Sequence, residues 1–191
     1  IGVHGPSIVE PAISAALVLN MSTNLAAVQA GQHADKVLTL GAQYFVVCLG
    51  GTGATLVICL MFAFLSKSKE LKAIGKASSI PVLFNVNEPF LFGAPIVLNP
   101  MLLIPFIVIP LVLATIAWVA TAMHLVNCAV TIAPWTLPGP IGAYLACGGD
   151  WRAAVLNIIL IVISVVLYYP FFKMYDKELL EEEKAKEAIE G

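Results

Sequence analysis

Asn85-Val86-Asn87-Glu88-Pro89 is the stretch of this chain best equipped for chemistry. Glu88 is the only formally charged side chain between Lys76 and Asp150, and the seventy-three residues separating those two charges are otherwise apolar, glycine, proline or uncharged polar. An unpaired ion in hydrocarbon loses most of its hydration, and an acid at a bilayer centre costs roughly 2.5–3.5 kcal/mol or more. Two readings of Glu88 follow. It is a neutral carboxyl bonded to backbone in a helix break. Or it is a carboxylate that accepts hydrogen bonds from substrate hydroxyls or takes a proton as a base. Asn85 and Asn87 add amide donors and acceptors beside it, which suits a sugar better than a simple ion.

His4 stands between glycines in Gly2-Val3-His4-Gly5-Pro6. A lone histidine is commonly structural, but Gly5 and its neighbours let backbone approach a ligand closely, which favours a binding role. Trp135, in Ala133-Pro134-Trp135-Thr136, is either an interfacial anchor or a stacking platform for the apolar face of a pyranose ring. Trp151, beside Arg152, reads as an anchor, and His124 as a packing residue at the outer end of a helix. Gly50-Gly51-Thr52-Gly53 lacks the lysine that a phosphate loop requires, so it is expected to serve close helix packing inside a span. Cys48, Cys59, Cys128 and Cys147 are scattered through apolar segments and read as buried free thiols. The sequence shows no metal-ligand cluster, nucleotide fingerprint or Ser-His-Asp arrangement, so no metal and no cofactor are expected.

These residues need a membrane scaffold. Hydrophobic residues make up 60% of the chain, charged ones 12%, and mean hydropathy is +0.93. Soluble domains run near 45–50% apolar and about 25% charged. The net charge of −2 says nothing about nucleic acid, but no basic patch is interleaved with aromatics, so nucleic acid is not expected as a partner. Gly41–Leu65, Pro100–Ala122 and Ala153–Phe172 are each long enough to cross a roughly 30 Å core. Lys67, Lys69, Lys72 and Lys76 after the first, and Lys173, Lys177, Lys184 and Lys186 after the last, place both segments in the cytoplasm. Residues 77–99 then start and end on one side, and Pro81, Pro89, Gly93, Pro95 and Pro100 predict a re-entrant hairpin with Asn87 and Glu88 at its break.

The opening segment reads as a second broken element, with a short apolar run Ile13–Met21 and a polar patch Ser22–Lys36. Residues 121–150 read as a partly embedded segment near the outer side. Tyr175–Glu190 reads as a solvated charged helix or frayed tail rather than a docking element. The expected fold is therefore an all-α integral membrane protein of about three full transmembrane helices plus re-entrant hairpins. Residues 1–172 form its membrane-embedded region and 173–191 its charged cytoplasmic tail. The chain starts at Ile1 without a leader pattern and reads as a piece of something longer.

The run from Phe84 to Pro100, Phe-Asn-Val-Asn-Glu-Pro-Phe-Leu-Phe-Gly-Ala-Pro-Ile-Val-Leu-Asn-Pro, resembles the signature of the membrane-embedded IIC component of bacterial sugar phosphotransferase systems. The resemblance is to the lactose/cellobiose, beta-glucoside disaccharide group. Gly2-Val3-His4-Gly5 is similar to that family's histidine motif, and Pro134-Trp135-Thr136 through Gly148-Gly149-Asp150-Trp151-Arg152 to its later signature. The resemblance implies the sugar-binding half of a homodimeric permease in the bacterial plasma membrane, with the family's N-terminal half absent from this chain. It implies a disaccharide substrate contacted by Glu88 and His4, and a soluble phospho-IIB protein whose cysteine delivers the phosphoryl group. Glu88 would orient or deprotonate the accepting hydroxyl. Any enzymatic step would thus depend on a separate protein. The alternatives are a proton-coupled sugar symporter, with Glu88 carrying the proton, and an inactive truncated fragment.

Overall fold

The computed structural model describes residues 5–45, 47–96 and 98–190, and every regular element among them is helical. In chain order they are α1 (Gly5–Gln29), a 3-10 turn (Leu40–Phe45), α2 (Leu56–Leu65), α3 (Lys69–Leu83), α4 (Glu88–Gly93), α5 (Pro100–Ala122), α6 (Gly139–Ala146) and α7 (Trp151–Glu190). Among the described residues, three helices are long and apolar enough to cross a membrane: Pro11–Gln29, Pro100–Ala122 and Trp151–Lys186. Two of these contain expected spans, and the Pro100–Ala122 boundaries coincide with the prediction.

The third expected span does not form. Gly41–Leu65 breaks into the 3-10 turn, a tight turn and the ten-residue α2. The glycines are the cause. Gly50, Gly51 and Gly53 take φ of 98°, 82° and 85°, left-handed values closed to an α-helix, and Ala54 follows at 53°. They are turn-formers rather than a helix-packing stripe. At 1.5 Å per residue α2 is about 15 Å long, half the thickness of a hydrocarbon core.

In place of the predicted broken element at the start, α1 is one helix of twenty-five residues that accommodates Pro11. Its polar patch does not interrupt it, because the hydroxyls of Ser22 and Thr23 donate back to the carbonyl of Leu19, each at 2.8 Å. Asn20 and Asn24 use theirs to dock the following segment: Asn20 Nδ2 donates to Leu38 O at 2.9 Å and Asn24 Nδ2 to Lys36 O at 2.7 Å.

The core lies where α2, α3, α5, α6 and α7 meet. Phe62 of α2 packs edge-on against Phe90 of α4 at 5.2 Å between ring centroids, and both are fully buried. Gly75 lets α2 and α3 touch: a Cβ there would lie 2.3 Å from the backbone nitrogen of Ala63. The expected solvated tail is instead the continuation of α7, forty residues and about 60 Å long, with Asp176 buried against the start of α3.

Candidate functional site

The predicted break between α3 and α4 is present and has a defined construction. Asn85 N donates to Val82 O and Val86 N to Pro81 O, each at 3.0 Å, a Schellman-type ending that requires a left-handed residue at Asn85. Asn85 supplies it, with φ of 65°, a conformation asparagine tolerates better than most residues. Asn87 precedes α4, and Pro89 falls in its first turn, where a missing N–H costs nothing.

Both asparagine side chains turn inward and stitch three segments together. Asn85 Nδ2 donates to the carbonyls of Trp135 and Leu137 at 2.7 and 2.8 Å, while its Oδ1 accepts from Gly50 N at 3.0 Å. Asn87 Nδ2 donates to Thr52 O at 2.7 Å and to Thr55 Oγ1 at 3.0 Å. Thr55 Oγ1 in turn donates to Gly50 O, and Tyr168 of α7 closes the turn by donating to Gly53 O, each at 2.5 Å. A side chain at Gly51 would meet Asn87 Cγ at 2.6 Å, which is why the glycine turn can seat against the break. With their Nδ2 hydrogens bonded to protein, buried Asn85 and Asn87 form the frame of the site.

Glu88 and Trp135 point the other way. Both are exposed on the described chain, Glu88 in the first turn of α4 and Trp135 in the loop whose carbonyl Asn85 holds. Among the described residues nothing supplies the enclosure expected for a lone carboxylate; Phe90 is the side chain α4 buries. Gly5 is the first residue of α1. His4 lies outside the described residues. Among those described, no group of three or more His, Cys, Asp or Glu could hold a metal ion.

The later motif also resolves into structure. Gly148 and Gly149 turn at φ of 68° and 87°, and Asp150 then caps α7 through Arg152 N at 3.0 Å. Asp150 further accepts from Arg152 Nε at 3.0 Å and from Asn127 N at 2.9 Å. Burial works to raise the Asp150 carboxyl, but the hydrogen bonds from Arg152 and Asn127 and the guanidinium charge outweigh it, holding the carboxyl below the usual range. A relationship that sequence reasoning missed is His33 with His124, whose Nε2 and Nδ1 lie 2.9 Å apart with the rings edge-on. His124 is exposed at a φ of 56° just past α5, rather than packed. Ninety-one positions separate the two, and no local spacing signals the pair.

Residues 1–110 match the family described as "Phosphotransferase system, EIIC". The chain belongs to that family. The match covers both the histidine motif and the whole Asn85–Glu88 break, and the expected lactose/cellobiose grouping agrees with the relatives. The chain is 51% identical over 189 residues to the PTS system lactose-specific EIICB component of Staphylococcus haemolyticus, covering 99% of this chain and 32% of that one. It is 54% identical over 183 residues to the protein of the same description from Staphylococcus epidermidis, covering 96% and 31%. Among solved structures, it superposes with a TM-score of 0.91 and 37% identity on the transporter ChbC, the IIC component from the N,N'-diacetylchitobiose-specific phosphotransferase system. That match covers 96% of this chain and 43% of ChbC. The chain thus spans about a third of the length of the curated relatives it matches. Like the rest of this EIIC family, it is a multi-pass membrane protein.

Proposed function

We propose that this EIIC chain is the sugar-holding part of a phosphoenolpyruvate-dependent permease that carries a lactose-type disaccharide inward for phosphorylation. The carrying observation is geometrical: the single charged side chain of residues 77–149 is exposed at a helix break whose frame is held by Asn85 and Asn87. Broken backbone at membrane depth is tolerated where it lines a wet cavity, and there a carboxylate can meet sugar hydroxyls. The names of the relatives support the substrate class, since lactose and N,N'-diacetylchitobiose are both β-1,4-linked disaccharides.

In this reading Glu88 accepts a hydrogen bond from the sugar hydroxyl that is to be phosphorylated, His4 holds another hydroxyl, and Trp135 covers an apolar ring face. Asn85 and Asn87 keep Glu88 in place. A soluble IIB protein brings its phosphocysteine from the cytoplasmic side. As the new O–P bond forms and the S–P bond breaks, the hydroxyl proton passes to Glu88. The lysines at 67–76 and along the end of α7 set those segments in the cytoplasm, with residues 1–172 embedded and 173–191 outside the bilayer. The full-length parent works as a homodimer.

The energy source tests this. Cells expressing the full-length parent are given radiolabelled lactose after their proton gradient has been collapsed. Label accumulating as sugar phosphate supports the phosphotransferase route. Uptake of free sugar that ceases with the gradient makes the protein a symporter and overturns it.

A further inference from the structure

The far end of α7 grips the start of α3 with two carboxylates. Asp176 Oδ1 accepts from Ser66 Oγ at 2.5 Å, from Lys67 N at 2.9 Å and from Ser68 N at 3.2 Å, and Oδ2 accepts from Lys67 N at 3.2 Å. Two turns further along, Glu183 Oε1 accepts from Ser68 Oγ at 2.7 Å and from Glu70 N at 3.1 Å, while Oε2 accepts from Lys69 N at 3.2 Å. Residues seven apart share one helix face, so a straight α7 presents both acids to the same partner. Amide groups at the start of α3 that no helical bond can satisfy are thereby capped from another helix, with negative charge at the positive end of the α3 dipole. Ser66, Ser68 and Asp176 are buried.

The other end of α3 carries Asn85 and, three residues on, Glu88. Between the two ends, α3 is held against α2 by the close approach at Gly75. Near its middle α7 binds the same assembly a second time, through Tyr168 and Gly53 O. Building on the functional reading above, we propose that Asp176 and Glu183 are positioning residues for Glu88. They make α7 and the α2–α3–α4 unit one rigid body, so that the carboxylate travels with the cytoplasmic extension of α7 when the sugar is carried across. Their partners are mainly backbone N–H groups and serine hydroxyls, so the clamp does not survive loss of the acids.

The test uses the full-length parent with spin labels at Lys76→Cys in α3 and Lys173→Cys in α7, both exposed. The intact clamp gives one narrow interlabel distance. Asp176→Ala with Glu183→Ala is expected to broaden it, to leave lactose affinity within about twofold, and to cut sugar-phosphate turnover per folded transporter roughly tenfold. Where the double variant folds poorly, Glu183→Ala alone gives the same effects in weaker form. An unchanged distance distribution overturns the clamp, and broadening with full turnover overturns the positioning role. A simple loss of folded protein, with affinity and turnover per folded molecule unchanged, makes the acids structural only and overturns it too. A parent that broadens on clamp removal but never phosphorylates lactose sinks the functional reading while the coupling of α7 to α3 stands.

Discussion

The side-chain amide of Asn85 donates to the main-chain carbonyl of Trp135 at 2.7 Å across fifty positions of sequence. This bond joins the two motifs that flank the site, and it explains why an asparagine stands there. One planar group supplies two donors for the carbonyls of Trp135 and Leu137, and an acceptor for Gly50 N. It does so from a left-handed backbone position at the end of α3.

Asn85→Ala leaves a buried N–H and two carbonyls without their partner. Each unsatisfied buried group costs about 1–3 kcal/mol, so the unfolding midpoint of the detergent-solubilised parent is expected to fall by several degrees. Asn85→Asp restores the acceptor but not the two donors and is expected to recover little. A midpoint unchanged in both variants contradicts the stitching role. Thermal unfolding monitored by tryptophan fluorescence reads the difference.

Gly53→Ala meets two obstacles. Gly53 sits at φ of 85°, and an added Cβ would lie 2.2 Å from the ring of Phe106. Left-handed backbone and overpacking each cost about 1–3 kcal/mol, so this variant is expected to lose folded protein sharply. Gly31→Ala serves as the contrast: its φ is 73°, but nothing lies within 4 Å of the added carbon. It is expected to show the backbone penalty alone. Yields of monodisperse protein for the two variants decide this.

Much of this construction was legible in the residues, and what was not has a physical cause. Prolines and glycines around Glu88 announced a broken element, because an interior proline removes a helical hydrogen bond and several breakers together favour a break, whereas the isolated Pro11 and Pro170 are carried inside α1 and α7. The uninterrupted apolarity of Pro100–Ala122 marked α5 to the residue. Gly41–Leu65 misled because hydropathy sums composition and is blind to φ, so three left-handed glycines passed as small apolar residues. The polar patch in α1 misled for the converse reason: Ser22 and Thr23 satisfy themselves within the helix. The roles of Asn85, Asp176 and the His33–His124 pair depend on partners 35 to 110 positions away, beyond the reach of any local pattern.

Asp150 gives a pH dependence of definite sign. Its carboxyl is held below its ordinary value of 3.8 in the folded chain, so its stabilisation is complete above that value. It is lost as pH falls through the depressed folded value. Asp150→Asn is therefore expected to lower the unfolding midpoint at neutral pH by roughly 2–4 °C. The gap to the unaltered protein should close as pH is taken below that range. A gap that widens on acidification contradicts the assignment.

Trp135→Ala removes an exposed aromatic surface beside the frame while leaving intact the carbonyl that Asn85 binds. Lactose affinity is expected to fall about tenfold, with Trp135→Phe recovering most of it, because an aromatic face of either kind can cover a sugar ring. Equal affinity in all three proteins, measured by equilibrium binding, makes Trp135 an interfacial anchor instead.

The role of Glu88 is tested most directly by Glu88→Gln in the full-length parent, supplied with phospho-IIB and radiolabelled lactose, with the product separated by charge. Glutamine keeps the size and can still accept a hydrogen bond, but it cannot take the proton. Loss of sugar phosphate, with the transporter folded and inserted, is the expected result. Turnover close to that of the unaltered protein contradicts Glu88 as the base.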